Sequence, residues 1–322
     1  MSEVMSDLLK VVVRRREQHG EAVIALELVD PNGQPLPAFE AGAHIDLHLG
    51  EGLVRQYSLC GDPADTSAYR LGVLRDPQSR GGSVAAHALQ ESSEVQISAP
   101  RNLFPLASNA GHSLLIGAGI GITPMIAMAY ALHRAGQSFE LYYCGRSRQS
   151  SAFVEDLLHS PFAAQVRLHF TAEHGGARLE LPQLLAGVAA ERTHLYVCGP
   201  VSFMDAVISA GQQHGLADSQ IHREFFQVEV DSHGDSFEVV AERSGKTLTV
   251  AGDQTIVEAL AEVGIRVKVS CEQGVCGSCL CDVLEGEPDH RDVYLTDDEK
   301  ADNDQMTLCC SRARSPRLVL DI

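Results

Sequence analysis

Residues 271 to 281 read CEQGVCGSCLC, with cysteines at 271, 276, 279 and 281 and glycines at 274 and 277 between them. No other stretch restricts the chain as strongly, because thiols crowded into one short loop pair, react or hold metal. The chain has nine cysteines, an odd number, and six of them lie at or beyond position 271. That distribution fits metal ligation in a reducing compartment better than a disulfide framework. The spacing is Cys271-x4-Cys276-x2-Cys279, and three close thiols need a distant fourth. Zinc knuckles pair their cysteines two and two, whereas three ligands on one loop with a remote fourth is the plant-type [2Fe-2S] arrangement. Gly274 and Gly277 suit it, since positive φ lets the loop aim backbone N–H groups at sulfur. The fourth ligand comes from MTLCCSRA, as Cys309 or Cys310, and Cys281 is surplus. Spacing leaves the choice open, because neighbouring side chains on a return strand point opposite ways.

A chain of 322 residues has material for two or three cores. Three patterns divide it. The first, expected over 1–108, is short-period and strand-like: AVIALELVD, HIDLHL, VRQYSLC, YRLGVLRD and EVQISAP predict a small antiparallel barrel. In HIDLHL, Ile45, Leu47 and Leu49 take one face, and His44, Asp46 and His48 are expected on a solvent-facing side. The second, 109–228, repeats strand, glycine turn and helix, which builds an α/β domain on a parallel sheet. Residues 229–236, EVDSHGDS, are polar and without period, and read as a linker. The third, 237–322, opens with the hairpin FEVVAERSGKTLTV, continues with a helix closed by Gly264, carries the cysteine loop and ends in the strand RLVLDI.

A formal charge of -18 argues against non-specific nucleic-acid binding and is compatible with docking a basic partner surface. No apolar run is long enough to span a membrane, and the N-terminus lacks the features of a secretory signal, so a cytoplasmic, soluble protein is expected.

Four further motifs carry chemistry. In RQYSLC, Arg55 and Tyr57 project together from a strand, a guanidinium for phosphate beside a ring for a flat heterocycle. Gly81, Gly82 and Ser83 precede a helical stretch, and Ser83 is expected to cap it over an anion. GAGIGITP lacks the dinucleotide G-x-G-x-x-G spacing, yet it joins a strand to a helix that Thr123 is expected to cap, with Pro124 at its first position. Cys198, Gly199 and Pro200 end a later parallel strand, on the edge where such sheets bind ligands.

With RQYSLC, GVLRDPQSRGGS, GAGIGITP, YVCGP, HREFF, CEQGVCGSC, HRDVYL and LCCSRA in this order, the chain resembles the phthalate dioxygenase reductase family over nearly its whole length. The resemblance implies a flavin β-barrel, a nucleotide-binding α/β domain and a C-terminal α+β ferredoxin domain of β-grasp type. It implies FMN held by Arg55, Gln56, Tyr57, Ser58, Val73, Leu74, Arg75, Gly81, Gly82 and Ser83, with Thr123 and Phe226 near the flavin ring. It places NADH against Gly117, Gly119, Gly121, Pro124, Arg146, Cys198, Gly199 and Pro200, and selects Cys309 as the last cluster ligand. Arg146 and Arg148 follow the second strand of the middle region, where a cation could hold the 2′-phosphate of NADPH; NADH is expected on the resemblance. The implied activity is hydride transfer from NADH to FMN and single-electron passage through the cluster to the oxygenase component of a Rieske-type system. The protein is expected to be a monomer, and no side-chain acid, base or nucleophile is expected to do the chemistry. Two other readings remain: an electron-transfer subunit of a dihydroorotate dehydrogenase, and a non-enzymatic zinc-binding protein.

Overall fold

The computed structural model describes residues 8–50, 52–228 and 230–322. The chain forms two compact units, Met1–Glu224 and Phe225–Ile322. Among the described residues no helix is long and apolar enough to cross a membrane.

The first unit opens with an antiparallel sheet of β1 (Leu9–His19), β2 (Val23–Val29), β3 (Ala43–His48), β4 (Val54–Ser58), β5 (Tyr69–Leu74), β6 (Glu94–Ile97) and β7 (Arg101–Asn102). Its order is β4-β3-β6-β1-β2-β5, with β7 on β3. A bridge between Leu59 and Leu71 brings the two edge strands together and closes the barrel. Register puts Ile24, Leu26, Ile45, Leu47, Leu71 and Ile97 on one inner face, and all six are fully buried. The other face of β3 departs from expectation. His44 and Asp46 are buried, not solvated. Asp46 takes a forked bond from Arg101, at 2.8 and 2.9 Å, and a third from Gln56 Nε2 at 3.2 Å. Alternation could not foresee this, because the partner that makes burial tolerable lies on β7, 55 residues away.

The second sheet holds β8 (His112–Ala118), β9 (Phe139–Gly145), β10 (Val166–Phe170), β11 (Thr193–Cys198) and β12 (Ile221–Glu224), all parallel, in the order β10-β9-β8-β11-β12. The chain therefore winds one way from β8 and then the other way. Between β8 and β11 lies the topological switch point, where open α/β sheets bind ligands. The helices of this unit are α1 (Gly82–Ala88), α2 (Ile122–Arg134), α3 (Val154–Leu158), α4 (Leu181–Leu185) and α5 (Val201–Gln213).

The second unit has its own sheet. Its strands are β13 (Phe237–Ala241), β14 (Lys246–Val250), β15 (Leu280–Glu285), β17 (Gln305–Thr307) and β19 (Arg317–Leu320), with a separate pair, β16 (Pro288–Asp289) and β18 (Arg312–Ala313). The main order is β14-β13-β19-β15-β17, and β13 and β19 are parallel, as a β-grasp requires. Helix α6 (Ile256–Glu262) is started by a Thr255/Glu258 capping box and packs Ile256, Ala259 and Leu260 into a core with Val239, Val250 and Leu318. Helix α7 (Asp297–Asp302) follows the cysteine loop.

The stretch read as a linker is fastened to this unit. Val230 packs against its core. Arg312, 2% exposed, donates to the carbonyls of Ser232, Asp235, Ala251 and Gln254 at 2.7–3.0 Å, with its guanidinium 5.1 Å from the Phe237 ring. Arg291 donates to the carbonyls of His233, at 2.7 Å, and Asp231. Glu229 lies outside the described residues. A polar stretch without period looks like a linker until the distant arginines that take its carbonyls are in view. Replacing Arg312 with Met should leave four carbonyls without the buried donor they share and lower the stability of this unit by about 3 kcal/mol. Arg312→Lys should recover only part, since an ammonium lacks the fork. Urea unfolding followed by cluster absorbance, with trypsin cleavage between 229 and 236, measures both effects.

Candidate functional site

In the second unit Cys271, Cys276, Cys279 and Cys309 are all buried. Hydrogen bonding links the Cys271 thiol to Cys276 and Cys309, and Cys279 to Cys309. The crowding polarises them: bonds from Cys276 and Cys309 pull Cys271 far below the usual thiol range, and bonds to Cys271, Cys279 and Cys310 push Cys309 up. Backbone N–H groups of Gln273 and Ser278 point at the sulfurs of Cys271 and Cys276, at 3.3 and 3.5 Å. Gly274 and Gly277 have φ of 68° and 67°, which lets the loop turn its amides inward. Cys310, next to Cys309, is buried as well, bonds to the Cys309 thiol and also meets the Thr307 hydroxyl at 3.2 Å. Cys281 lies on β15, half-exposed, its pKa raised to about 11 by burial. No three ligating side chains that would hold a single ion are found among the described residues. A two-iron cluster does not ask for that, because each iron takes two thiolates. The donor set of four buried thiols fits a [2Fe-2S] cluster.

In the first unit, Arg55 and Tyr57 share the face of Leu47 and Ile45. Tyr57 is half-buried, and burial raises its phenol to about 12. Arg55 reaches the glycine segment: its Nη2 lies 3.3 Å from the Arg80 carbonyl, and a Cβ on Gly82 would stand 2.5 Å from its Cγ. The two segments expected to share one phosphate are thus brought together. Ser83 does not cap α1, however. The N-cap is Gly81, and the Ser83 hydroxyl accepts from the Asp76 N–H at 3.1 Å, tying down the loop before the helix. Val73 is buried and Leu74 exposed at the end of β5, with Arg75 next, its N–H donating to the Ala22 carbonyl at 2.7 Å.

The glycine loop after β8 and the Cys198-Gly199-Pro200 turn after β11 sit side by side, since Gly117 and Cys198 are register partners. A Cβ on Gly121 would stand 2.3 Å from the Cys198 carbonyl oxygen. Helix α2 starts at Ile122 with Gly121 as its N-cap, so Thr123 and Pro124 are its second and third residues. Thr123 does not cap; its hydroxyl donates to the Ile120 carbonyl at 3.0 Å, closing the short turn that Gly119, at φ 57°, begins. The difference arises because that turn places the helix start two residues earlier than the proline suggests. Thr123 Cγ2 would be 2.8 Å from a Cβ on Gly72 of β5, so the barrel and the nucleotide loops meet here. Arg146 and Arg148 are exposed, and Arg148 pairs with Glu173 at 3.5 Å. Phe226 is half-buried two residues past β12, in the second unit.

Comparison with known proteins places this geometry. The 2Fe-2S iron-sulfur cluster binding domain family matches residues 239–314. A vanillate O-demethylase oxidoreductase of Pseudomonas sp. (strain HR199 / DSM 7063) is 49% identical over 318 residues, covering 98% of this chain and 100% of that protein. A carnitine monooxygenase reductase subunit of Escherichia coli (strain K12) is 39% identical, covering 99% and 100%. The solved structure of phthalate dioxygenase reductase, a modular structure for electron transfer from pyridine nucleotides to [2Fe-2S], matches with a TM-score of 0.77 and 35% identity over 98% of each chain. The chain belongs to the phthalate dioxygenase reductase family. As a member it is an oxidoreductase, with the cluster domain at its C-terminal end.

One residue of this reductase escaped the sequence reading. Glu224, at the end of β12, is the register partner of Cys198 and accepts from the Ser58 hydroxyl at 3.4 Å. It therefore links the barrel's RQYS strand to the turn after β11. Burial pushes its carboxyl up to about 8, and its proximity helps push the Cys198 thiol up. The available signal was a lone acid between Arg223 and two phenylalanines at the end of a strand. Because its folded pKa lies above the unfolded value, Glu224 favours folding fully at low pH and loses that advantage as pH rises toward 8. The melting temperature of Glu224→Gln relative to wild type should therefore climb between pH 5 and 8 and level off above. A pH-independent gap would show that the carboxyl is not protonated in the fold.

Proposed function

We propose that this chain is the reductase component of a Rieske-type oxygenase or demethylase system, working as a cytoplasmic monomer that moves electrons from NADH through FMN and a [2Fe-2S] cluster to its oxygenase. One observation carries the reading. Strands β4 and β5 of the barrel meet the carboxyl edge of a parallel sheet within one compact unit, at Gly72 against Thr123 of α2 and Ser58 against Glu224 of β12. A cluster-competent set of thiols follows in the same chain.

Bound flavin supplies the conversion of a two-electron hydride into single electrons. The chain's own residues bind, orient and exclude water. Arg55 and the N–H groups at Gly81–Ser83 would hold the FMN phosphate, with Tyr57 beside the ring and Gln56, Ser58, Val73, Leu74 and Arg75 along its edge. Thr123 and Phe226 are proposed to approach the flavin. Gly117, Gly119, Gly121 and Pro124 with Cys198, Gly199 and Pro200 would present a dry cleft to NADH, and Cys198, far from ionising, acts there as a small apolar wall. Arg148 is paired with Glu173, in line with NADH rather than NADPH, and Arg146 would lie toward the adenosine end. Cys271, Cys276, Cys279 and Cys309 would ligate the irons. Relatives named for vanillate and for carnitine match over nearly their whole lengths, as expected if the reductase never touches the oxygenase's substrate.

The direct test is anaerobic titration with NADH of protein carrying FMN and reconstituted iron and sulfide. Bleaching of flavin and cluster bands, with a paramagnetic reduced cluster, is expected; protein that takes up neither chromophore would overturn the reading. Cys309→Ser should lose most iron and cytochrome c reduction while keeping NADH-dependent ferricyanide reduction, and Cys310→Ser should keep its iron. The opposite pattern would move the ligand to Cys310. Arg55→Ala should weaken FMN retention by about 1.5–3 kcal/mol, roughly tenfold or more in affinity, without altering iron per chain. Flavin released on dilution reads the effect, and an unchanged release would remove Arg55 from the phosphate site.

A further inference from the structure

The first unit carries a backbone outlier that none of the binding roles above uses. Phe153, immediately before α3, has φ of 60° although it is a bulky aromatic residue, and its side chain is 1% exposed. Left-handed backbone is unfavourable for such a residue and persists only where its surroundings over-determine it.

The surroundings are a socket on the barrel's outer face. Register through β1, β2 and β5 puts His19, Leu74 and Gly72 on that face, with Arg70 two residues along. The Phe153 ring stacks on the His19 imidazole at 4.6 Å, and the Arg70 guanidinium lies 5.0 Å from its centroid. Arg70 is itself anchored to Asp156 of α3 at 2.5 Å. The backbone N–H of Phe153 donates to His19 Nδ1 at 3.3 Å. Gly72 completes the socket: a Cβ there would stand 2.8 Å from Phe153 Cε2 and 2.8 Å from Thr123 Cγ2. One ring from the nucleotide part therefore fills the seam between β5, whose next residues are Val73 and Leu74, and Thr123, which stands beside the switch-point loop.

We infer that Phe153 is a positioning residue for hydride transfer: its ring, locked in the socket of His19, Arg70 and Gly72, sets how closely the barrel's flavin strands approach the nicotinamide loops. This rests on the flavin and NADH reading above and adds the element that fixes the spacing. Hydride transfer demands near-contact of donor and acceptor, and a displacement of about 1 Å from outside the chemistry costs as much as 100-fold. The ring touches neither reactant and acts only through β5 and Thr123.

The experiment compares wild type, Phe153→Leu, Gly72→Ala and the double variant. It uses stopped-flow reduction by NADH and by its deuterated form, with flavin content, iron content and NADH affinity measured in parallel. Phe153→Leu should slow flavin reduction about tenfold or more at saturating NADH and enlarge the deuterium effect, with flavin, iron and NADH affinity retained. Gly72→Ala, which forces the seam from the other side, should give the same signature. The double variant should be faster than Gly72→Ala alone, because the smaller side chain makes room for the new methyl. If flavin reduction in both single variants matches wild type, the inference fails. It also fails if the loss follows lost flavin or weakened NADH binding alone, or if the two changes combine with no compensation. Wild-type protein that NADH does not reduce would instead defeat the functional reading beneath it.

Discussion

The carbonyl of Cys198 stands where a side chain at position 121 would begin. That approach depends on glycine, and the nucleotide cleft depends on the approach, since it brings the turns after β8 and β11 to the same place. The device recurs. Gly72 admits Phe153 and Thr123, Gly82 admits Arg55, and Gly274 admits the Cys310 sulfur and the Asp292 backbone. At each, two segments far apart in sequence come closer than any side chain allows. Beside these contacts, burial raises the Glu224 carboxyl to about 8.

The residues legible in the sequence are those whose chemistry is written locally. Cysteine spacing, glycines at strand ends and the switch between strand-and-strand and strand-and-helix patterns pointed to the three sheets and to the segments that now lie together. What was not legible depends on partners supplied from a distance. Asp46 looked solvated because Arg101, which neutralises it, lies on another strand. The polar stretch after Glu224 looked free because Arg291 and Arg312, which hold its carbonyls, come about 60 to 80 residues later. Ser83 and Thr123 looked like helix caps because capping is the usual use of a hydroxyl before a helix. Each instead closes a turn beside the helix start, a choice that loop geometry makes and propensity does not. Phe153 carried no signal at all, since its strain is a property of the assembled seam.

The two compact units also divide the physical demands of the task. Hydride exchange tolerates almost no error in distance, and the parts proposed for it, Phe226 apart, share one unit. That unit is stiffened at their seam by a buried ring, a Ser58–Glu224 bond and glycine contacts. Single-electron passage needs proximity without bond-making geometry, so the cluster domain can keep a core of its own and be joined by chain. What it cannot relax is the cluster's own cradle. There Asp292 takes N–H groups from Tyr294 and Leu295 and approaches Ser311, while Val293 donates to Gly274. The Val293 N–H holds the loop carrying Cys271, Cys276 and Cys279 while the neighbouring Asp292 carboxylate holds the return carrying Cys309, so this one segment ties the two together. The HRD and SRA segments thus belong to the cluster site as fully as the cysteines do, because three ligands on a loop make a cluster site only when the fourth is held to them.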